Sequence, residues 1–428
     1  MLKKLNIVHI MTILALPIVL ALINPNWLFN LSFSHDYIIM VDDYIYTGYQ
    51  MAFPQYVGWF PSDTLYFIER MSWILPGYLL NQIASPLVAH LILHFGLYYL
   101  AIFSVYSILS KLLSARVGLL VALLFGQYPL IMRSLGWNYV DGFAITCMLL
   151  SIVWLTYAIG SRWRPIYLVG AGMSFVAMVI ANTFYAVYAI PLILYFLILD
   201  RTYRHPKQFI LSIIYSVIGM VVVYAGLSLY YQQFTNQILF TNLLTSAVKY
   251  TQDPQYFLSY HYSGLPPNWH VFLVLIVVLA GITFLRQYRH LSSDMRRVTN
   301  ALTALFFTSY MIIVGWTLAG FLLTHAVFYN THVVMSAFLM LGVIIYKPVS
   351  DLSGYQFRWM VFYSLAIPLA PFLIYTLSPS SFNFDILAPI LLGGVVVLSG
   401  IFGVIRHPFR VNLAVIVSFT CCGMLVAY

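Results

Sequence analysis

FILSIIYSVIGMVVVYAGLSLYY, residues 209–231, contains no Asp, Glu, Lys or Arg and decides the fold class of this chain. A helix of about 20 apolar residues crosses the ~30 Å hydrocarbon core of a bilayer. Lipid offers no hydrogen-bond partners to the backbone, so such a segment must satisfy its own N–H and C=O groups as a helix. The run therefore predicts a transmembrane helix.

The rest of the chain has the same character. Of its 428 residues, 62% are hydrophobic and 7% are charged, against about 25% charged in an average soluble domain. So few charges could not cover the surface of a soluble protein, which excludes a cytosolic enzyme, a secreted domain, a disordered chain and a DNA-binding module. We predict an all-α polytopic membrane protein that forms a single transmembrane domain over residues 1–428, without a soluble domain.

Hydropathy predicts about 13 transmembrane helices. The predicted spans are 5–24, 86–109, 117–132, 140–160, 166–182, 184–199, 209–231, 270–285, 299–319, 332–346, 359–377, 386–405 and 411–427. The division between 166–182 and 184–199 is the least sharp, because only a short polar corner separates them. An even number of spans would move the C-terminus to the other side of the membrane.

The basic residues support this map. With the N-terminus in the cytoplasm, all but three of the 20 Lys and Arg residues fall in cytoplasmic segments, the exceptions being Arg70, Arg133 and Lys249. Cytoplasmic loops of membrane proteins carry an excess of Lys and Arg. The spans were drawn from hydropathy without regard to charge, yet they place the basic residues as this rule requires. The predicted topology places the N-terminus inside.

Two long connections, 25–85 and 232–269, lie on the external side and are rich in aromatic residues. Every acidic residue except Asp200, Asp294 and Asp351 is also external, and these three lie among Arg and Lys, which indicates pairing in solvated loops. The positive-inside rule says little about acids, so the external acidic bias needs another cause. It favours chemistry at the external membrane surface.

The first external connection contains two adjacent carboxylates, Asp42 and Asp43, after the apolar residues 38–41. Neighbouring carboxylates in apolar surroundings repel each other and resist loss of water, which is typical of a general base or a metal ligand. The alternative is a structural role, because Asp before YIYTGYQ also suits the N-cap of a helix.

Arg70 follows in the same connection and precedes a short apolar run broken by Pro76. The run predicts a helix lying in the membrane interface, where an Arg could bind a phosphate through two hydrogen bonds. The alternatives are a pair with Glu69 or Asp63, or a side chain that reaches lipid headgroups.

Three further external segments carry polar residues. The stretch MRSLGWNYVDGF, residues 132–143, holds Arg133 and Asp141, and Asp141 could equally cap the helix that follows. Lys249 lies in the second long connection, whose aromatics suit an interfacial belt or a sugar-stacking surface. His325 and His332 are close enough in sequence to approach each other, as metal ligands or as polar residues at helix ends.

These residues resemble the GT-C superfamily of polytopic glycosyltransferases, in particular the branch of protein mannosyltransferases and bacterial aminoarabinose transferases. That branch carries a D-[ED]-x-x-Y motif in its first external loop, which Asp42–Tyr46 matches. The family also has a basic residue before a short Pro-containing amphipathic run, which Arg70 and the run to Pro76 resemble. It often has an Arg and then an Asp that opens the fourth span, which Arg133 and Asp141 resemble. The resemblance covers about the first 200 residues; beyond them only the alternation of spans and loops matches.

The resemblance implies interfacial helices in the first external loop above a membrane-facing cavity, and inverting transfer of a sugar from a polyprenyl-phosphate-linked donor. Asp42 would be the base, and the remaining implied site residues are Asp43 and Asp141 for catalysis and Arg70, Arg133, Tyr46 and Lys249 for the donor. No cofactor is implied, and a divalent metal ion is left open. Many relatives end in a soluble domain, whereas this sequence ends at Tyr428 in a predicted span, which favours a lipid, glycan or small acceptor.

Two other functions remain open from the sequence. One is a flippase or transporter for a lipid-linked glycan, which would need polar groups across the bilayer. The other is a membrane transferase of the O-antigen polymerase type. The short basic N-terminus fits a bacterial inner membrane, with the active site facing the periplasm or exterior.

Overall fold

The computed structural model describes residues 7–23, 37–59, 65–201, 205–239, 288–318, 331–362 and 364–365. Within these ranges the chain is all-α, and no strand occurs. The helices are α1 (Ile7–Ile23), α2 (Tyr37–Trp59), α3 (Leu65–Ile68), α4 (Met71–Ile83), α5 (Pro86–Leu112), α6 (Ala115–Gln127), α7 (Pro129–Gly136), α8 (Val140–Ala158), α9 (Arg164–Ala181), α10 (Ala189–Asp200), α11 (Pro206–Thr235), α12 (Ser293–Leu318) and α13 (Thr331–Ser350). A 3₁₀ turn, Thr183–Tyr188, leads into α10.

In the described part of the chain, six helical segments are long and apolar enough to cross a membrane. A seventh span results if α6 and α7, which meet at a bend of 69°, are counted together. The protein is therefore an integral, multi-pass membrane protein. Four of the predicted spans lie wholly or mostly outside the described residues: 270–285, 359–377, 386–405 and 411–427. The total of about 13 spans therefore stays a prediction.

Among the described residues, α5, α6 and α8 lie at the centre of the bundle, α9 packs on α8, and the largely exposed α11 packs on α9. Helices α9 and α11 touch backbone to backbone, because a Cβ added at Gly172 would overlap the carbonyl oxygen of Ser216, and one at Gly219 would overlap that of Val169. In lipid, where hydrophobic burial does not drive helices together, such small residues increase van der Waals contact between helices.

The described residues of the first connection, 37–59 and 65–85, are largely helical. Helix α2 is kinked at Ala52, whose backbone is non-helical, and Pro54 follows within the same helix. Helix α4 begins directly after Arg70, which confirms the predicted helix there. The Ser72 hydroxyl donates to the Ala177 carbonyl at 2.7 Å, so α4 is attached to the bundle through α9.

The pairing predicted for Asp200 and Asp294 with basic residues is confirmed. Arg164 forms a bidentate pair with Asp200, at 3.1 and 2.7 Å, and also donates to Ser212 at 2.9 Å. Arg297 pairs with Asp294 one turn away on α12. The Asp200 side chain is nearly buried, so this pair ties α9, α10 and α11 together instead of lying in a solvated loop.

Candidate functional site

Arg70 occupies the position just before α4, and its side chain is only 2% exposed. The amides of Trp73 and Ile74 donate to its carbonyl oxygen at 2.9 and 3.1 Å, so the first turn of α4 holds its backbone. Burial of this kind does not fit the alternative in which the side chain reaches out to lipid headgroups. The guanidinium instead belongs to the interior of the protein.

Aromatic rings surround this guanidinium. Its Cζ lies 5.4 Å from the centroid of the Tyr139 ring and 5.6 Å from that of Tyr46, both within cation–π range. The two rings pack edge to face against each other at 5.7 Å, and Trp137 stacks on Tyr139 at 4.6 Å. The aromatic cage, defined as Tyr46, Tyr139 and Trp137, thus joins the first connection to the segment before α8.

Asp141 lies two residues beyond Tyr139, in the first turn of α8, and is completely buried. Its Oδ1 accepts a hydrogen bond from the hydroxyl of Tyr185 in the 3₁₀ turn before α10. The N-cap of α8 is Tyr139, so the prediction that Asp141 caps the helix is wrong by two positions. The carboxylate still lies where the helix dipole favours a negative charge.

A buried histidine extends this arrangement. His332, at the start of α13, lies 4.2 Å from the Tyr185 ring and is stacked on Tyr188 at 4.8 Å, centroid to centroid. It is fully buried, and neither ring nitrogen has a hydrogen-bond partner among the residues that the structure describes. His325 lies outside the described residues, and the described part contains no group of three or more potential metal ligands, so a metal role for the two histidines stays a hypothesis.

Asp42 and Asp43 both lie within α2, which begins at Tyr37. The N-cap interpretation of Asp42 is therefore wrong, because the helix starts five residues earlier. Asp42 precedes Tyr46 by one helical turn on α2, and Tyr46 is fully buried in the aromatic cage. Lys249 lies outside the described residues.

Arg133 lies in the last turn of α7, which packs closely on the start of α8. A Cβ added at Gly142 would overlap the carbonyl oxygen of Ser134, so this glycine allows the close approach. Gly142 lies in the first turn of α8. Its contribution is to bring the segment that contains Arg133 against the helix that carries Asp141.

The site residues come from segments that the topology assigned to one side of the membrane: the first connection, the segment before α8, the turn before α10 and the start of α13. The contacts Arg70–Tyr139, Asp141–Tyr185 and Tyr185–His332 join them at one end of the bundle. Sequence reasoning missed Tyr139 and Tyr185. Their only signal was position at the end of an external segment, which many other tyrosines share.

No protein-family model and no curated protein matches this sequence. Among solved structures, the chain is similar to the crystal structure of ArnT from Cupriavidus metallidurans bound to undecaprenyl phosphate, at 12% sequence identity and a TM-score of 0.48. The similarity covers 83% of this chain and 65% of that one, so the present chain spans about two thirds of the length of that protein. A likeness this distant assigns no residue its role.

Proposed function

We propose that this protein is a GT-C-type membrane glycosyltransferase that transfers a sugar from a polyprenyl-phosphate-linked donor to an acceptor hydroxyl at the external membrane face. The observation that carries the proposal is the burial of a guanidinium and a carboxylate, Arg70 and Asp141, at one end of the bundle, joined through Tyr139 and the start of α8. Burying charges is costly, so a buried cation and anion at the end of membrane helices mark a functional site.

Arg70 has the chemistry to bind the phosphate of the donor. A guanidinium offers planar pairs of N–H donors that match phosphate oxygens, and its attraction for an anion is stronger where water is excluded. When the bond between the sugar and the phosphate breaks, negative charge increases on the departing lipid phosphate. A fixed cation beside it stabilises that charge in the transition state.

Asp42 is the proposed base. Positions four apart share one face of a helix, and Asp42 comes four positions before Tyr46, whose ring contacts Arg70, so we expect its carboxylate on that side of α2. Asp42 removes the proton of the acceptor hydroxyl. The hydroxyl oxygen then bonds to the anomeric carbon from the side opposite the phosphate. The bond between the anomeric carbon and the phosphate oxygen breaks, and its electron pair stays on the phosphate. The configuration at the anomeric carbon therefore inverts.

The remaining predicted residues have supporting roles. Asp43 and Asp141 assist the base or orient the sugar hydroxyls, and Tyr185 holds the carboxylate of Asp141 through its hydrogen bond. Arg133 and Lys249 contribute positive charge for the donor phosphate. The acceptor is a lipid, a glycan or another small molecule with a free hydroxyl, and the membrane is a bacterial inner membrane.

The test is release of polyprenyl phosphate from a panel of polyprenyl-phospho-sugars by the purified protein in liposomes, with membrane extracts as the source of acceptor. Asp42→Asn should lower turnover by about 10²–10⁴-fold, the usual contribution of a general base. Arg70→Ala should lower it by about 10²–10³-fold, as for other groups that stabilise transition-state charge.

Asp351→Asn is the matched control, because this exposed carboxylate follows the last turn of α13 at the opposite end of the bundle. It should leave turnover unchanged. Normal turnover by Asp42→Asn would rule out the base assignment. If an intact lipid-linked sugar moved across the vesicle membrane and no covalent product formed, the protein would be a flippase and not a transferase.

A further inference from the structure

A cleft lies between α10 and α11, with α8 and α9 behind it. It has a volume of about 220 Å³. Its walls are apolar, and they include Phe175 of α9, Leu192 and Phe196 of α10, and Phe209 and Val217 of α11. The residues that line the cleft in the described part of the chain do not include Arg70, Asp141 or His332, so the cleft is separate from the candidate site.

Three serines also line the cleft, but none offers a free hydroxyl hydrogen to a ligand. Ser151 donates to the Cys147 carbonyl at 3.0 Å, Ser212 to the Gln208 carbonyl at 2.7 Å, and Ser216 to the Ser212 carbonyl at 3.0 Å. A ligand inside the cleft therefore meets mostly hydrocarbon surface, which favours an apolar ligand there.

The rim of the cleft faces the surroundings of the bundle. Ile193 on α10 and Ile213 and Val217 on α11 line the cleft and are each about half exposed, with Val217 at 45%. Exposed isoleucine and valine at the middle of membrane helices contact lipid tails. The cleft is consequently accessible to a chain of the bilayer from the side.

One end of the cleft is basic. Arg164 lies there but is already held by Asp200 and Ser212. Arg201, directly after α10, and Lys207, in the first turn of α11, are both exposed. These two cations are therefore available to an anion at the level where the two helices reach the membrane surface.

We propose that the cleft binds one acyl chain of an anionic phospholipid, with the lipid phosphate held by Arg201 and Lys207. Basic positions between membrane helices attract anionic headgroups. The apolar walls, whose serine hydroxyls already donate to backbone carbonyls, favour a hydrocarbon chain. If a methylene group occupies about 30 Å³, the volume of a water molecule in the liquid, the cleft holds roughly seven methylene groups. The occupant is a lipid of the surrounding bilayer, at the end of the bundle opposite to Asp141.

Two variants separate the chain from the headgroup. Val217→Trp places an indole in the cleft, whereas Val222→Trp is the matched control, since Val222 is 55% exposed on α11 and does not line the cleft. Arg201→Gln combined with Lys207→Gln removes the charges at the rim. Lys347→Gln combined with Arg358→Gln removes two exposed charges elsewhere on the same side of the predicted topology.

The experiment is native mass spectrometry of the protein released from nanodiscs that contain equal amounts of phosphatidylglycerol and phosphatidylcholine with identical chains. The unaltered protein should retain one phosphatidylglycerol at least fivefold more often than phosphatidylcholine. Val217→Trp should reduce retention of both lipids at least fivefold, and the Arg201/Lys207 variant should abolish the preference. Both controls should behave as the unaltered protein.

Equal retention of the two lipids by the unaltered protein would overturn the headgroup assignment, and unchanged retention by Val217→Trp would overturn the chain assignment. Circular dichroism of each variant shows whether the helices remain folded, so a folded variant with unchanged binding counts against the proposal. Lipid retention is measured without donor or acceptor, so its outcome is independent of the proposed transferase activity.

Discussion

The hydroxyl of Tyr185 donates a hydrogen bond to Oδ1 of the buried Asp141, across 44 residues of sequence. This contact joins the turn before α10 to the first turn of α8. His332 from α13 packs against the Tyr185 ring, with 4.2 Å between the ring centroids. Three distant segments therefore meet at Tyr185, and the proposed function gives the carboxylate that Tyr185 holds a role in catalysis.

Removal of the Tyr185 hydroxyl tests this role. Tyr185→Phe should lower turnover of the lipid-linked donor by about tenfold or more, because a hydrogen bond to a charged group contributes about 1.5–3 kcal/mol and each 1.4 kcal/mol is a factor of ten. The measurement is turnover as a function of pH, because a misplaced carboxylate changes the profile whereas a general loss of folded protein does not.

Tyr195→Phe is the matched control for that variant. Tyr195 is also a fully buried tyrosine, and its hydroxyl forms a 2.6 Å hydrogen bond with Thr156, which joins α10 to α8 away from the site. Tyr195→Phe should lower the free energy of unfolding by a similar amount and leave the turnover per folded molecule unchanged. If both variants lose turnover equally, the role of Tyr185 is structural only.

Exchange of Arg70 for lysine tests phosphate binding without removing the positive charge. Arg70→Lys loses the paired N–H donors and the planar contact with Tyr46 and Tyr139. We expect affinity for polyprenyl phosphate alone to fall by roughly tenfold, in line with the loss of one hydrogen bond to a charged group. The measurement is equilibrium binding of the radiolabelled lipid phosphate in detergent.

Arg116→Lys provides the comparison. Arg116 also lies over an aromatic ring, 5.4 Å from the centroid of Phe357, and donates to the Leu352 carbonyl at 2.7 Å, at the opposite end of the bundle. Its exchange should not change lipid phosphate binding. An equal affinity for Arg70→Lys and the unaltered protein would remove Arg70 from the donor site.

Gly142 sets the distance between α7 and α8. Gly142→Ala should destabilise the protein by about 1–3 kcal/mol, the usual effect of overpacking, because the added methyl group meets the backbone of Ser134 and Leu135 and not a movable side chain. The measurement is the midpoint of thermal unfolding in detergent. The start of α8 would move with this change, so turnover should also fall.

Gly226→Ala is the control for this substitution. Gly226 lies in α11, and an added Cβ would meet no atom of the protein within 4 Å. Alanine is also the better helix former, by roughly 0.5–1 kcal/mol. Its unfolding midpoint should therefore stay the same or rise. A midpoint for Gly142→Ala as high as that of Gly226→Ala would contradict the packing argument.

The sidedness of the bundle is testable by labelling of single cysteines. In a cysteine-free background, Asn236→Cys after α11 should react with a membrane-impermeant maleimide in intact cells, and Ser353→Cys after α13 should react only after the membrane is broken. Both positions are exposed, so accessibility does not limit either reaction. The reverse pattern would invert the topology and move the proposed site to the cytoplasmic face.

Much of the fold was predictable because its determinants are local. Hydropathy alone located α5, α8, α9, α11 and α13 to within a few residues, since each apolar run must form its own helix in lipid. The helix after Arg70 was predictable for the same reason. The start of α2 was not, because the residues before Asp42 carry no capping or periodic signal that marks where the helix begins.

The candidate site was predictable only in part. Arg70 and Asp141 were singled out because charges are scarce in this chain, so each external one requires an explanation; Asp42, chosen on the same ground, stays a prediction. Tyr139 and Tyr185 were not found, because the chain has 34 tyrosines and composition does not distinguish a buried partner of a carboxylate from an interfacial ring.

Hydropathy and charge were enough to establish that this chain lies in a membrane and to locate most of its described helices, and they predict which segments share one side. Those properties depend on the solubility of each segment in lipid, which a segment carries alone. The tertiary structure was needed to show that Arg70 lies over Tyr139, that Tyr185 donates to Asp141 and that His332 packs against Tyr185. Such contacts depend on how helices far apart in sequence pack together, as at Gly142 and Gly172, and no single segment specifies that packing.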